Sequence, residues 1–360
     1  MDPGNYTPSG QGGAVNLAAT QRGTRTQEEA MKTLKNWAIV ATLAALGCAP
    51  PADQNEPGAA QVSSEPAAPA LDLTPLAPGD TVPGLPSWTR ADWDVLERTV
   101  EWALENRVDT LPIGARIVRI GETFVGAPYV PGTLDPAGPE RLIINLREFD
   151  CVTFVENALT LAHFVGEAPS GILGTPERAM RRYQEMLTRI RYRDGRMAAY
   201  PSRLHYFTDW LGDNERRGFV DLVTDDLGGV VDAEPITFMT SHRASYKQLV
   251  DDAYYAEVSR VESELNATPR YVLPEGEVAA VADRIEDGDI LALASTVKGL
   301  DVAHTGIAFW KDGGLHLMNA PLVGKSVEIS EKDLADRLAG IGSQDGVMVG
   351  RPLEKPLLDR

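Results

Sequence analysis

Two residues far apart in the chain, Cys151 and His304, have the chemistry of a nucleophile and its base. Cys151 follows Asp150 where an apolar, strand-like run, Arg141-Leu-Ile-Ile-Asn-Leu-Arg147, gives way to a helical one beginning Val152-Thr-Phe-Val-Glu-Asn-Ala158. A sulfur there faces the free first-turn amides of a helix, and the positive end of the dipole favours thiolate over thiol. An imidazole on a separate strand completes the pair by taking the thiol proton. His304 lies in such a run, Asp301-Val-Ala-His-Thr-Gly-Ile-Ala-Phe309. The group that orients the imidazole belongs on the neighbouring strand, facing the same way. Across the turn Lys311-Asp-Gly-Gly314, alternation sets His316 and Met318 on one face and Leu317 and Asn319 on the other. Asn319 can accept the far ring N–H of His304 as a neutral group. A slip of one residue would put His316 in that place instead. The first donor to an oxyanion is the Cys151 N–H at the helix start.

The elements that must hold these groups are legible on either side. Thr89-Arg-Ala-Asp92 is a capping-box-like start, and Trp93, Leu96, Val100 and Leu104 repeat at helical spacing. A second helix spans 113–125 and stops at Gly126-Ala-Pro-Tyr129. A buried strand is expected at 141–147. On the helix that follows, Val152, Val155, Ala158, Leu159 and Ala162 form one apolar stripe, with Glu156 and Asn157 beside it. Helices are also expected at 176–190 and 241–265, with loops and short strands between them. Strands at 289–294, 304–309, 315–320, 326–329 and 346–350 close the chain. Helices first and antiparallel strands later make an α+β domain, with the nucleophile helix packed on the sheet that carries the histidine.

The chain has 360 residues, 43% hydrophobic and 24% charged, as in a globular protein. Its net charge of −18 argues against a nucleic-acid or anionic-membrane surface, either of which needs clustered Lys and Arg. The second cysteine, Cys48, has a different setting. Met31-Lys-Thr-Leu-Lys35 is basic, the run from Trp37 to Leu46 is apolar but short for a membrane span, and Ala45-Leu-Gly-Cys48 resembles the lipobox of bacterial lipoproteins. On that reading 31–47 is a signal peptide and Cys48 the lipid acceptor. Residues 48–86, rich in Pro and Ala, form a disordered tether, and 87–360 fold as the enzyme. Residues 1–30 are an over-long start or a disordered extension. The rival readings of Cys48 are an uncleaved apolar anchor or a disulfide with Cys151. The expected place is the cell envelope, lipid-anchored at the periplasmic face of the outer membrane.

Asp-Cys-Val-Thr-Phe-Val-Glu156 resembles the nucleophile segment of the NlpC-type papain-like cysteine hydrolases, within them the N-acetylmuramoyl-L-alanine amidase-like branch. Further stretches resemble that branch in order: Phe124-Val-Gly-Ala-Pro-Tyr129, Ile190-Arg-Tyr-Arg-Asp-Gly195, Ser202-Arg-Leu-His-Tyr-Phe207 with Trp210, and Phe238-Met-Thr-Ser-His242. Asp287-Gly-Asp-Ile290, His304-Thr-Gly-Ile307 and Leu317-Met-Asn-Ala320 complete the series. The resemblance implies a papain-like fold, a Cys–His–polar triad of Cys151, His304 and Asn319, and hydrolysis of the bond between N-acetylmuramic acid and L-alanine in peptidoglycan or muropeptides. The same superfamily holds endopeptidases that cut between D-glutamate and a diamino acid, and a binding module that lost catalysis is the third reading.

Arg203, His205, Tyr206 and Tyr129 are expected to line the cleft, Arg203 either meeting peptide carbonyls or pairing with Asp209 or Asp194. Asp150 reads as a helix cap, His163 as a surface residue and His242 as a cap or packing group. None of the five histidines has metal-ligand spacing, so neither metal nor cofactor is expected.

Overall fold

A computed structural model describes residues 88–358 except residue 137, so the signal, tether and Cys48 lie outside the described residues. Helix α1 (Arg90–Glu105) starts as its sequence requires. Thr89 Oγ1 accepts the Asp92 N–H at 3.3 Å while Asp92 Oδ2 accepts the Thr89 N–H at 2.8 Å, closing a capping box. Helix α2 (Ile113–Glu122) follows, and its last turn unwinds into the 123–127 loop. The run 141–147 is a correction to the expected strand: it joins no sheet. It keeps strand-like alternation, with Leu142, Ile144 and Leu146 buried, but side chains satisfy its backbone. Asp92 Oδ1 accepts the Leu146 N–H at 3.0 Å, and Arg191 donates to the Ile143 carbonyl at 2.6 Å.

Helix α3 (Cys151–Glu167) is the structural centre. It was expected to carry one apolar stripe; instead every residue from Thr153 to Val165 is buried. It packs against α2, the helix α4 (Pro176–Arg191) and the sheet, so it has no free face. Its polar groups are therefore paired inside. Glu156 bonds Arg191 at 2.8 Å with both side chains 2% exposed. Asn157 donates to the Thr153 carbonyl at 2.6 Å and accepts from Tyr183 Oη at 2.7 Å. His163, expected at the surface, is buried with Nδ1 3.1 Å from Glu167. Removing one member of a buried pair such as Glu156–Arg191 costs about 3–5 kcal/mol.

Helices α5 (Phe207–Arg216) and α6 (Asp252–Ala267) precede the main strands. The helix expected from 241 begins only at Asp252. A four-residue turn, Phe238–Ser241, ends there, and two 3₁₀ turns intervene. His242 caps that turn, Nδ1 lying 2.8 Å from the Phe238 carbonyl.

The strands are β1 (Val220–Leu222), β2 (Val230–Val231), β3 (Tyr271–Pro274), β4 (Ile290–Ser295), β5 (Val302–Lys311), β6 (Gly314–Asn319), β7 (Glu328–Ile329) and β8 (Gln344–Pro352). They form one antiparallel sheet ordered β2-β3-β8-β4-β5-β6-β7, with β1 also on β8. The short helix α7 (Leu334–Ala339), unforeseen in the sequence, lies between β7 and β8. Asp312 (φ 52°) and Gly313 (φ 84°) give the β5–β6 hairpin two left-handed residues in succession, the type I′ geometry that matches strand twist. The two sheet faces are apolar in different company. Ala292, Ile307 and Met318 join the core built by α1 to α4, while Leu293, Ala308 and Leu317 join Leu334 and Leu338 of α7.

Candidate active site

Cys151 is the first residue of α3, half-buried, with Asp150 as its cap. Asp150 Oδ1 accepts the Thr153 N–H at 2.8 Å, and Thr153 Oγ1 accepts the Asp150 N–H at 2.9 Å. The Cys151 N–H belongs to the first turn, where a helix amide has no intrahelical acceptor. Thr305, whose hydroxyl is buried without a hydrogen-bond partner among the described residues, lies near the sulfur.

Next to Thr305, β5 presents a sheet edge. The edge is open there because β5 pairs with β6 only from Ile307↔Met318 onward to the turn. His304 and Thr305 face opposite sides of the sheet, since His304 pairs with Leu293 and Thr305 with Ala292.

On the His304 side, Asn319 Oδ1 lies 2.7 Å from His304 Nε2. Asn319 is 1% exposed, and its Nδ2 donates to the Leu317 carbonyl at 3.2 Å, which turns the amide oxygen toward the ring. An amide oxygen only accepts, so Nε2 carries the proton and Nδ1 holds the basic lone pair. His316 points elsewhere: its Nδ1 meets the Ser330 carbonyl at 2.9 Å.

The electrostatics differ from the sequence expectation of a ready thiolate. Burial pushes the Cys151 thiol up to about 11, and the Asp150 carboxylate adds to this, outweighing the opposing influence of Thr305 and Val152. Burial also lowers His304 to about 4, with Arg337 acting in the same direction and Asn319 against it. The resting pair is thus neutral thiol and neutral imidazole. The cap that starts the helix supplies the negative charge that offsets its dipole.

Of the expected cleft residues, Tyr129 is the one whose phenol Cys151 and Asp150 act on. Burial, Cys151 and Asp150 together raise its phenol above the ordinary value. The Val130 N–H and Phe149 N–H bond to the Phe149 and Pro128 carbonyls, so this segment is clamped to the residue two before Cys151. Its other edge is tied to the chain after Asn319 by Tyr129 N–H to Lys325 O and Val327 N–H to Ala127 O, both 2.8 Å.

Arg203, His205 and Tyr206 require correction. Arg203 is 6% exposed and pairs with Asp135 at 2.5 Å and Glu140 at 3.3 Å, neither of the partners expected, because Asp209 is held by Arg193. His205 Nε2 lies 2.8 Å from the Tyr200 carbonyl, and burial lowers the ring to about 3. Tyr206 donates to Glu262 at 2.6 Å and accepts the Met239 N–H at 2.8 Å. The cavity these three line holds about 10 Å³, room for a water and no more. A groove of about 550 Å³ lies between α1 and the 123–127 turn, bounded by Trp102, Val125 and Arg147. Among the described residues no three of His, Cys, Asp or Glu converge as a metal site, and no helix is long and apolar enough to cross a membrane.

Residues 119–342, more than half of the chain, match the family model AmiA-like, N-acetylmuramoyl-L-alanine amidase-like. The chain is similar to the crystal structure of an N-acetylmuramoyl-L-alanine amidase from Bacteroides uniformis, 34% identical with TM-score 0.62, over 67% of this chain and 99% of that one. A Bacteroides fragilis structure described as a xylanase is 35% identical with TM-score 0.58, over 64% and 98%. A Legionella pneumophila structure, 18% identical over 73% and 95% with TM-score 0.53, shares the fold. No curated protein matches the chain. With its family model spanning α3 and the β4–β6 strands, the chain belongs to the AmiA-like, N-acetylmuramoyl-L-alanine amidase-like family.

Proposed function

We propose that the chain is a cysteine amidase of NlpC-type, papain-like design that hydrolyses the amide between N-acetylmuramic acid and L-alanine in peptidoglycan or its fragments. The observation that carries the reading is the His304–Asn319 hydrogen bond at 2.7 Å, on strands that pack against the helix Cys151 begins. As the sulfur attacks the lactyl carbonyl, its proton passes to His304 Nδ1, so charge develops during attack rather than before it. The Cys151 N–H stabilises the oxyanion. The imidazolium then protonates the departing alanine nitrogen, leaving a muramoyl thioester. His304, neutral again, deprotonates a water that cleaves the thioester and regenerates the thiol. Asn319 holds the ring in the required tautomer throughout.

A glycosidase reading, raised by the relative described as a xylanase, needs two carboxylates across a sugar bond. Beside the sulfur stands Asp150, whose Oδ1 is engaged in capping α3. Within the superfamily, an endopeptidase acting between D-glutamate and the diamino acid would use the same groups. Incubation of a synthetic muramyl-tripeptide with the protein, products identified by mass, separates these. The amidase releases N-acetylmuramic acid and free tripeptide, and Cys151→Ala lowers the rate by at least about three orders of magnitude. Release of muramyl-L-alanyl-D-glutamate, or full turnover by Cys151→Ala, contradicts the reading.

Cys48 is proposed as the lipid acceptor that tethers this domain in the cell envelope. Fatty-acid label that enters the wild type and is absent from Cys48→Ser checks it; equal labelling of both overturns it.

A further inference from the structure

The groove of about 550 Å³ between α1 and the 123–127 turn has apolar walls, no acidic lining residue and two arginines, Arg98 and Arg147. Exposed arginines elsewhere are met by carboxylates: Arg90 by Asp94, Arg119 by Glu122, and Arg260 by Glu257 and Glu264. Arg98 is exposed, and no hydrogen bond or ion pair holds it among the described residues. Arg147 bonds Asp92 through Nε at 3.0 Å, which leaves the two terminal nitrogens of its fork for another acceptor; its side chain is 43% exposed. On a chain of net charge −18, two such cations in an acid-free groove make a local site for an anion. Both walls also run into the catalytic region. Phe124 meets Phe149 edge-to-face with ring centroids 5.0 Å apart, and Phe149 lies two residues before Cys151. Arg147 lies four residues before Cys151, so their Cα atoms are at most about 14 Å apart.

We propose that this groove is the stem-peptide subsite, in which Arg98 and Arg147 bind the carboxylates of the peptide on the leaving side of the scissile amide. The inference rests on the cysteine-amidase reading, which puts a peptide there. The muramoyl side is uncharged once its lactyl carboxyl is in amide linkage, so cations have nothing to recognise on it. The peptide side carries the carboxylates of D-glutamate and the diamino acid. A guanidinium fork matches a carboxylate with two parallel bonds, and the apolar walls suit the methylene chains between the charges. An extended tripeptide spans about 10 Å, enough to carry its acidic groups from Cys151 toward the two arginine side chains.

The test is calorimetric titration of the full chain with the free stem tripeptide L-alanyl-γ-D-glutamyl-diaminopimelate, and with the same peptide carrying amides in place of its carboxylates. The acid form is expected to bind about a hundredfold more tightly than the amide, and less so as salt is added. Arg98→Gln should weaken the acid form about tenfold and leave the amide form unchanged. Because Arg98 has no partner within the fold to lose, this variant keeps its structure. Arg147→Lys keeps the charge but loses the fork, and should weaken the acid form about threefold. On muramyl-tripeptide, Arg98→Gln raises KM about tenfold with kcat nearly constant. No binding of the tripeptide, equal binding of acid and amide, or wild-type affinity in both variants overturns the proposal. If the arginine-dependent binding is seen while the wild type leaves muramyl-tripeptide intact, the subsite stands and the amidase reading falls.

Discussion

Around Arg203 the polar groups are held by the fold: the guanidinium by ion pairs with Asp135 and Glu140, one His205 ring nitrogen by a backbone carbonyl, and the Tyr206 hydroxyl by Glu262 and the Met239 N–H. Around Cys151 the same kinds of group leave capacity unused. His304 has one ring nitrogen bonded to Asn319, Thr305 Oγ1 has no hydrogen-bond partner among the described residues, and the amide of Cys151 lies in the unpaired first turn. Both regions are rich in buried Arg, His, Tyr or Asn, and both contain a histidine lowered by burial. What differs is the company: one region sets a cysteine at a helix start near the histidine's strand, the other an arginine between two carboxylates.

The comparison is most exposed to attack at Asn319. If it orients His304, Asn319→Ala lowers kcat by about ten- to a thousandfold with substrate binding nearly intact, because orientation matters mainly in the transition state. Asn319→His, which can also accept a ring N–H, should keep more activity than Ala. His316→Ala should act as an ordinary packing change, since its ring is bound to the Ser330 carbonyl. A crippled His316→Ala with a silent Asn319→Ala would break the assignment.

The pH profile sharpens it next. His304 must be neutral to act as base, and burial lowers it to about 4. Protonation therefore begins to remove the base only as pH falls toward that value, and kcat/KM should have its acid limb near pH 4 and a plateau through neutrality. A limb near 6.5, the ordinary histidine value, would show the ring to be less buried than it is here. Smallest in activity is Tyr206→Phe. Leaving Glu262 without its 2.6 Å donor should cost about 1–3 kcal/mol in stability, read by denaturant unfolding, with kcat/KM unchanged. A large loss of kcat/KM in a folded Tyr206→Phe would return that segment to the cleft.

Local chemistry was legible wherever neighbours in sequence are neighbours in space. The Thr89–Asp92 box, the Asp150 cap and the Asp312–Gly313 turn follow from a few adjacent residues, and strand alternation alone set Asn319 and His316 on different faces. What escaped depends on distant parts of the chain. Arg203 finds Asp135 from 68 residues away, a pairing no spacing encodes. The 141–147 run alternates like a strand, yet side chains from α1 and α4 satisfy its backbone in place of a sheet partner. The all-round burial of α3 comes from its neighbours and not from a stripe of its own. The raised Cys151 thiol escaped for a related reason: the dipole can be read from position, whereas the desolvation that raises the thiol depends on the surrounding fold.

The most direct test of the account is to trap the intermediate. A muramoyl-L-alanyl peptide is mixed with the protein, quenched in acid within a turnover, and the intact mass is measured before the adduct is mapped. The account predicts a thioester on Cys151 carrying the N-acetylmuramoyl lactyl group, with the peptide already released. An adduct that retains L-alanyl-D-glutamate would move the scissile bond into the stem peptide. Turnover without any adduct on Cys151, under conditions where the second step is slow, would contradict covalent cysteine catalysis itself.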